Sequence, residues 1–265
     1  MSVTRRHHVI VSGPEDAQPM VFAHGFGCDQ SMWRLVAPTF EATHRVVLFD
    51  LVGSGKSDLA AYDPARYDRL DQHAADLIEL CRELGLDNVI FVGHSVSAMI
   101  GVLAQIAAPD LFDKLVLVGP SACYIDDGAY VGGFSSSDID DLLELMDSNH
   151  LGWQSSLASV VMGTPERPEL EGELEASFCR TRPDIARQFA GVTFLSDNRS
   201  DLARVTVPAL VIQTRNDAIA PVSAGEFVRD SIPATTYALI DASGHCPQLS
   251  APEPTTAAIE AFLRS

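Results

Sequence analysis

Short runs of apolar, mostly β-branched residues punctuate the chain at 9–11, 20–23, 45–49, 89–92, 115–118, 209–212 and 236–240. Their length and composition predict buried strands. Between them, apolar residues return at helical spacing over 32–40, 67–84, 95–108 and 254–263, which predicts helices. Strands that are apolar on both faces and alternate with amphipathic helices build a mostly parallel sheet covered on either side, the α/β class. In such a sheet the loops at the carboxyl ends of the strands gather into one crevice.

The alternation stops after 115–118, and from 124 to 187 only helical periodicity remains. Ser137 is placed to cap a helix whose first turn carries Asp138, Asp140 and Asp141 and whose stripe is Ile139, Leu142, Leu143 and Met146. Trp153, Leu157 and Val161 repeat the spacing. Pro168 and Pro183 each suit the first turn of a further helix, one carrying Leu170, Leu174 and Phe178, the other Ile185 and Phe189. Four helices inserted here predict a lid, 124–187, between two parts of one core, 1–123 and 188–265.

The chemistry sits where the period changes. Gly93-His94-Ser95-Val96-Ser97 closes the strand 89–92 and opens a helix of small and apolar residues. A serine on so sharp a strand-to-helix turn is pushed out above the sheet edge, at a helix N-terminus that favours developing negative charge. Its hydroxyl needs a base, and the base needs a carboxylate to fix its tautomer. His245, in Gly244-His245-Cys246-Pro247, follows the last strand, and Asp217 follows the strand 209–212. Asp197, Asp201 and Asp241 compete as the acid, but the first two fall in a polar connection and the third shares the loop of His245. The order serine, acid, histidine selects Ser95, Asp217 and His245. The Val96 N–H and the Phe26 N–H, from the loop His24-Gly25-Phe26-Gly27 after strand 20–23, are the expected oxyanion donors. Phe134, Trp153, Leu157 and Phe194 are the candidate walls of an apolar pocket under the lid.

Composition mainly excludes. The 265 residues suffice for a large core. A net charge of -18, from 18 basic against 36 acidic residues, repels nucleic acid and anionic lipid and leaves a small, neutral, hydrophobic substrate as the natural ligand. The acidity itself reads as a solubilising surface. No run approaches membrane-spanning length, and a cytoplasmic protein without membrane contact is expected. Five cysteines without C-x-x-C spacing suit a reducing compartment and argue against a metal site or a disulfide framework. Of these, Cys28 and Cys246 read as buried packing residues. Asp50-Leu51-Val52-Gly53-Ser54-Gly55-Lys56-Ser57 has the spacing of a phosphate-binding loop but lacks its first glycine, and reads as a glycine turn.

Five motifs then carry a resemblance: Gly93 to Gly101, the Gly132-Gly133-Phe134 turn, Ser177-Phe178-Cys179, Ile185 to Ala190, and Gly244-His245-Cys246-Pro247. Together they resemble the RsbQ family, an α/β-hydrolase group holding a bacterial stress-response regulator and the plant strigolactone and karrikin receptors. The resemblance spans nearly the whole chain. It implies an α/β-hydrolase fold with a sheet of the eight-stranded type and a four-helix lid, a triad at Ser95, Asp217 and His245, no cofactor, and slow hydrolysis of an ester, lactone or enol-ether-linked lactone. It also implies a partner, a PAS-domain phosphatase that the bacterial regulator activates. Ser97 matches the plant receptors, where that regulator usually has glycine. Two readings follow: a serine hydrolase, and a ligand-responsive signalling protein whose triad serves sensing. Epoxide hydrolases and haloalkane dehalogenases are disfavoured, since both need a carboxylate where Ser95 stands.

Overall fold

Each of the seven apolar runs forms a strand: β1 (Ile10–Ser12), β2 (Pro19–Ala23), β3 (Arg45–Phe49), β4 (Val89–His94), β5 (Phe112–Val118), β6 (Ala209–Asn216) and β7 (Thr235–Ser243). The computed structural model describes residues 2–148 and 152–264. Among these the sheet has seven strands in the order β1-β3-β2-β4-β5-β6-β7, one fewer than the eight expected. The described residues ahead of β1 form α1 (Val3–Arg6) rather than a strand. All neighbours pair in parallel except β1, which runs antiparallel to β3 at the edge.

Successive strand residues serve opposite cores. Met20, Phe22, Ile90, Val92, Val116 and Val118 face one, while Val21, Ala23, Phe91, Leu115 and Leu117 face the other, all at most 1 % exposed. The second core is closed by α2 (Leu70–Glu83), α3 (Val96–Ala107) and α8 (Val222–Ser231), through Leu77, Leu80, Met99, Val102 and Val228. On the first core lies α10 (Pro252–Leu263), with Ile259 and Phe262 buried. The stretch 32–40 is not one α-helix but two 3₁₀ turns, Gln30–Trp33 and Ala37–Phe40. Pro38 explains the break: it has no N–H to give to the Arg34 carbonyl four residues back, so an α-helix cannot run through it unbroken.

Between β5 and β6 the chain forms α4 (Ser136–Ser148), α5 (Gly152–Met162), α6 (Pro168–Arg180) and α7 (Pro183–Phe194). Their expected stripes are buried, from Ile139, Leu143 and Met146 on α4 to Leu170, Leu174 and Phe178 on α6, except that Leu142 and Leu157 are half-buried. The cap of α4 is Ser135 rather than Ser137. Ser135 Oγ accepts the Asp138 N–H at 3.2 Å while the Asp138 carboxylate accepts the Ser135 N–H at 2.7 Å, a reciprocal box that requires a spacing of three. The expected boundary at 187/188 falls inside α7, whose buried stripe continues through Phe189, Thr193 and Phe194. Ion pairs Arg34–Glu173 and Arg180–Asp29, both at 2.7 Å, tie α6 to the turn after β2. The carboxyl ends of β2, β4, β6 and β7 therefore meet beneath these helices.

Candidate active site

Ser95 follows β4 with φ 57° and ψ -123°, a positive-φ conformation that costs a non-glycine residue about 1–3 kcal/mol. Neighbours on both sides hold it there. Its N–H donates to the Val118 carbonyl at 2.8 Å, and the Ser97 hydroxyl two residues on donates to the His24 carbonyl. Ser97 thus fills the place of the usual glycine while bonding α3 to the loop after β2.

His245 follows β7 and reaches both partners. Its Nδ1 lies 2.7 Å from Asp217 Oδ2, and its Nε2 lies 2.7 Å from Ser95 Oγ. An ionised carboxylate only accepts, so Nδ1 carries the proton and Nε2 accepts the serine O–H. The His245 N–H donates to the Val161 carbonyl at the end of α5, 2.7 Å away. Asp217 Oδ1 accepts the N–H groups of Ile219 and Ala220 at 2.8 and 3.0 Å. Burial alone pushes this carboxyl up, but the charge and hydrogen bond of His245 and the two amides outweigh it and hold it below the usual carboxylate range. The rival acids are spent elsewhere: Asp197 on Arg199, Asp201 on Arg204 and Asp241 on Arg215.

The loop after β2 lies against the serine, since a Cβ added to Gly25 would come within 3.2 Å of Ser95 Cβ. His24 sets its orientation. Its Nε2 accepts the Leu51 N–H at 3.0 Å, so its Nδ1–H donates to the Gly25 carbonyl at 2.8 Å. The Gly25–Phe26 peptide is trans, which turns the Phe26 N–H away from that anchored carbonyl. Val96 is the first residue of α3, so its N–H has no acceptor within the helix.

Around Ser95 and His245 closes a cavity of about 20 Å³, room for about one water, walled by Phe26, Leu157, Val161, Phe178, Phe194 and Ile219. Two of the four expected wall residues, Leu157 and Phe194, line it. Trp153 and Phe134 stand one ring behind. The Trp153 ring packs 5.4 Å from that of Phe178, and the Phe134 ring 6.3 Å from that of Phe194. Cys28 and Cys246 are free, buried and part of the lining.

Sequence reasoning missed three polar residues at this site. The Tyr124 hydroxyl lies 3.3 Å from Ser95 Oγ, and because the serine proton points to His245, tyrosine is the donor. No motif marks it. Gln213, wholly buried in β6, donates to Asp217 Oδ2 at 3.3 Å and to the Ala220 carbonyl at 2.7 Å. Its polarity on an apolar strand was the available signal. Thr193, on α7, lines the cavity. The loop from Asp50 to Ser57 is a self-satisfied turn: Asp50 accepts the N–H groups of Gln30 and Lys56, and the Ser57 hydroxyl accepts that of Gly53. No cluster suited to a metal ion occurs among the described residues.

Two further histidines are buried and neutral. His94 donates through Nε2 to the His245 carbonyl at 2.8 Å, with its ring 5.0 Å from that of His245. His73 lies between Tyr67 and Phe189, ring centroids 5.0 and 4.9 Å away. Desolvation above all pushes both down from 6.5 to about 3, helped by His245 at the first and by His7 and His24 at the second. Unfolded, both rings take up protons below about pH 6.5; folded, they stay neutral to about pH 3. Stability from this source is therefore full above pH 6.5 and falls as pH drops through that window, by up to about 1.4 kcal/mol per unit for each ring. Urea titrations at pH 7 and pH 5 should show the wild type losing about 2 kcal/mol more than His73→Phe, which keeps the ring packing and removes the titration. Equal losses would discard this account.

The Alpha/beta hydrolase family model matches residues 20–258. A strigolactone esterase of Arabidopsis thaliana is 40% identical over 246 residues, 92% of this chain and 90% of that protein. A karrikin insensitive 2 receptor of Petunia hybrida is 39% identical over 252 residues, 95% of this chain and 93% of the other. A hydrolase from Oleispira antarctica superimposes with a TM-score of 0.97 at 38% identity, covering 100% of this chain and 97% of that one. Matched in sequence and in shape from β2 to the last helix, this chain belongs to the alpha/beta hydrolase family.

Proposed function

We propose that the protein is a serine hydrolase of small, neutral, hydrophobic esters or lactones, with Ser95, His245 and Asp217 as its triad. The observation that carries this reading is the unbroken relay from Asp217 through His245 to a strained serine hydroxyl, both links at 2.7 Å. Ser95 Oγ attacks the carbonyl carbon as its proton passes to His245 Nε2. The oxyanion is held by the N–H groups of Phe26 and Val96. Collapse expels the alkoxide, which takes the proton back from His245, and leaves an acyl-serine. Water, deprotonated by the same nitrogen, then releases the acid. Asp217 keeps Nδ1 protonated and supports the imidazolium in both halves. The helices α4 to α7 act as a lid. No lysine or arginine lines the cavity, so nothing there rewards a carboxylate on the substrate.

The protein should hydrolyse 4-nitrophenyl acetate and take one equivalent of methanesulfonyl fluoride, with fluoride leaving and the sulfonyl group mapping to Ser95 by peptide mass. Steady hydrolysis with an unlabelled Ser95 would sink the assignment.

A second reading, RsbQ-like, is supported by the receptor among the relatives and by the bond from α5 to the His245 backbone. Here turnover is slow and the output is contact with a PAS-domain phosphatase. Sedimentation of the two proteins together, with and without the sulfonyl adduct, tests it; rapid turnover with no complex in either state refutes it.

A further inference from the structure

Among the residues that line the cavity over Ser95, one hydroxyl stands outside the hydrolytic relay. Thr193 bears it and is 1 % exposed, yet its Oγ1 has no hydrogen-bond partner. A threonine inside a helix normally has one at hand, the carbonyl four residues back. Thr255 on α10 takes that bond, donating to Ala251 O at 2.8 Å. Thr193 has the same option on α7 and does not use it. A buried hydroxyl left unpaired is destabilising, and valine would fill the same volume without that cost. The remaining walls are phenylalanines, aliphatic chains, thiols and the His94 ring, and the nearby Tyr124 hydroxyl is outside the lining and engaged with Ser95 Oγ, so Thr193 is the lining hydroxyl left to meet a ligand.

We infer that Thr193 is a specificity-determining residue: it donates a hydrogen bond to a second oxygen of the substrate, one that does not react. The substrate class is then narrower than a plain ester. It is a compact ester or lactone carrying an additional ether or carbonyl oxygen, one face of which lies against α7. This rests on the proposed hydrolysis at Ser95 and adds to it a statement about recognition.

Isosteric pairs test it. In 4-nitrophenyl methoxyacetate an oxygen replaces one methylene of 4-nitrophenyl butyrate, on the acyl side; 2-methoxyethyl acetate and butyl acetate form the matching pair on the alcohol side. Within each pair the ratio of kcat/KM, ether over alkyl, is compared between wild type and Thr193→Val, which cancels intrinsic reactivity. For the pair whose oxygen meets α7 the ratio should fall about five- to tenfold in Thr193→Val, the worth of one neutral hydrogen bond, and be kept by Thr193→Ser. The melting temperature of Thr193→Val should rise by roughly 2–4 °C as the unpaired hydroxyl is removed. Unchanged ratios in both pairs, or a lower melting temperature, overturn the inference. The same ratios taken as dissociation constants in a Ser95→Ala background decide the role of Thr193 even if the wild type hydrolyses none of the four esters, a result that would count against Ser95 alone.

Discussion

Replacing Ser95 by alanine is expected to lower kcat/KM for 4-nitrophenyl acetate by roughly 10⁴-fold or more, and adding His245→Ala should cost almost nothing further. The reason lies in the geometry of the relay. His245 Nε2 has one task, the proton of a hydroxyl 2.7 Å away, and without that hydroxyl it has no nucleophile to activate. Two groups that act only through each other show losses that do not add. Asp217→Asn should cost roughly 10⁴-fold by a different route, because an amide can donate to Nδ1 and so moves the imidazole proton to Nε2, the wrong tautomer for a base. Melting temperatures of the three variants separate these losses from unfolding. If Ser95→Ala keeps more than about a tenth of the activity, the nucleophile lies elsewhere.

Gly244→Ala should destabilise the fold by about 3 kcal/mol, a fall in melting temperature of roughly 6–12 °C, and should depress turnover in the molecules that still fold. Gly244 has φ +89°, a region that strains any side chain, and an added Cβ would come to 1.9 Å from the Met162 carbonyl oxygen. That neighbour is backbone, so no rotamer change relieves it. Either α5 retreats or the loop bearing His245 shifts, and both disturb the bond between the His245 N–H and Val161. Gly172 provides the contrast. It is exposed on α6 with nothing within 4 Å of an added Cβ, and Gly172→Ala should stabilise by about 0.5–1 kcal/mol through helix propensity and a less flexible unfolded chain. Scanning calorimetry on the pair, at equal concentration, reads both signs. A Gly244→Ala protein that melts with the wild type would show that the loop is not held as described.

What sequence reasoning could reach follows from the range of the forces involved. Strands and helices are local: the run 89–92 and the stripe Leu170, Leu174, Phe178 announce themselves by period alone. The break at Pro38 is also local, yet the apolar spacing of 32–40 masked it. Ser95, Asp217 and His245 were legible because strand-end positions of a parallel sheet converge, so their order along the chain stands in for their contact. Tyr124 and Thr193 were not, since a tyrosine ahead of a helical insertion or a threonine within it means nothing until the tertiary fold brings its side chain to Ser95. The wall suffered the same limit. Helical periodicity shows that Trp153 and Leu157 are apolar, but whether a ring faces a ligand or another ring is settled by packing across elements.

The hydrogen bond from the His245 backbone to the end of α5 gives the proposed general base two foundations, a carboxylate just past the end of β6 and a carbonyl in the helical cover. A ligand larger than one water has to spread that cover, and in doing so it loads the base. Occupancy of the pocket and proton-accepting geometry are therefore one thermodynamic variable read at two places. Whatever grips α5 from outside changes turnover, and whatever sits on Ser95 changes the grip, by the same free energy in each direction.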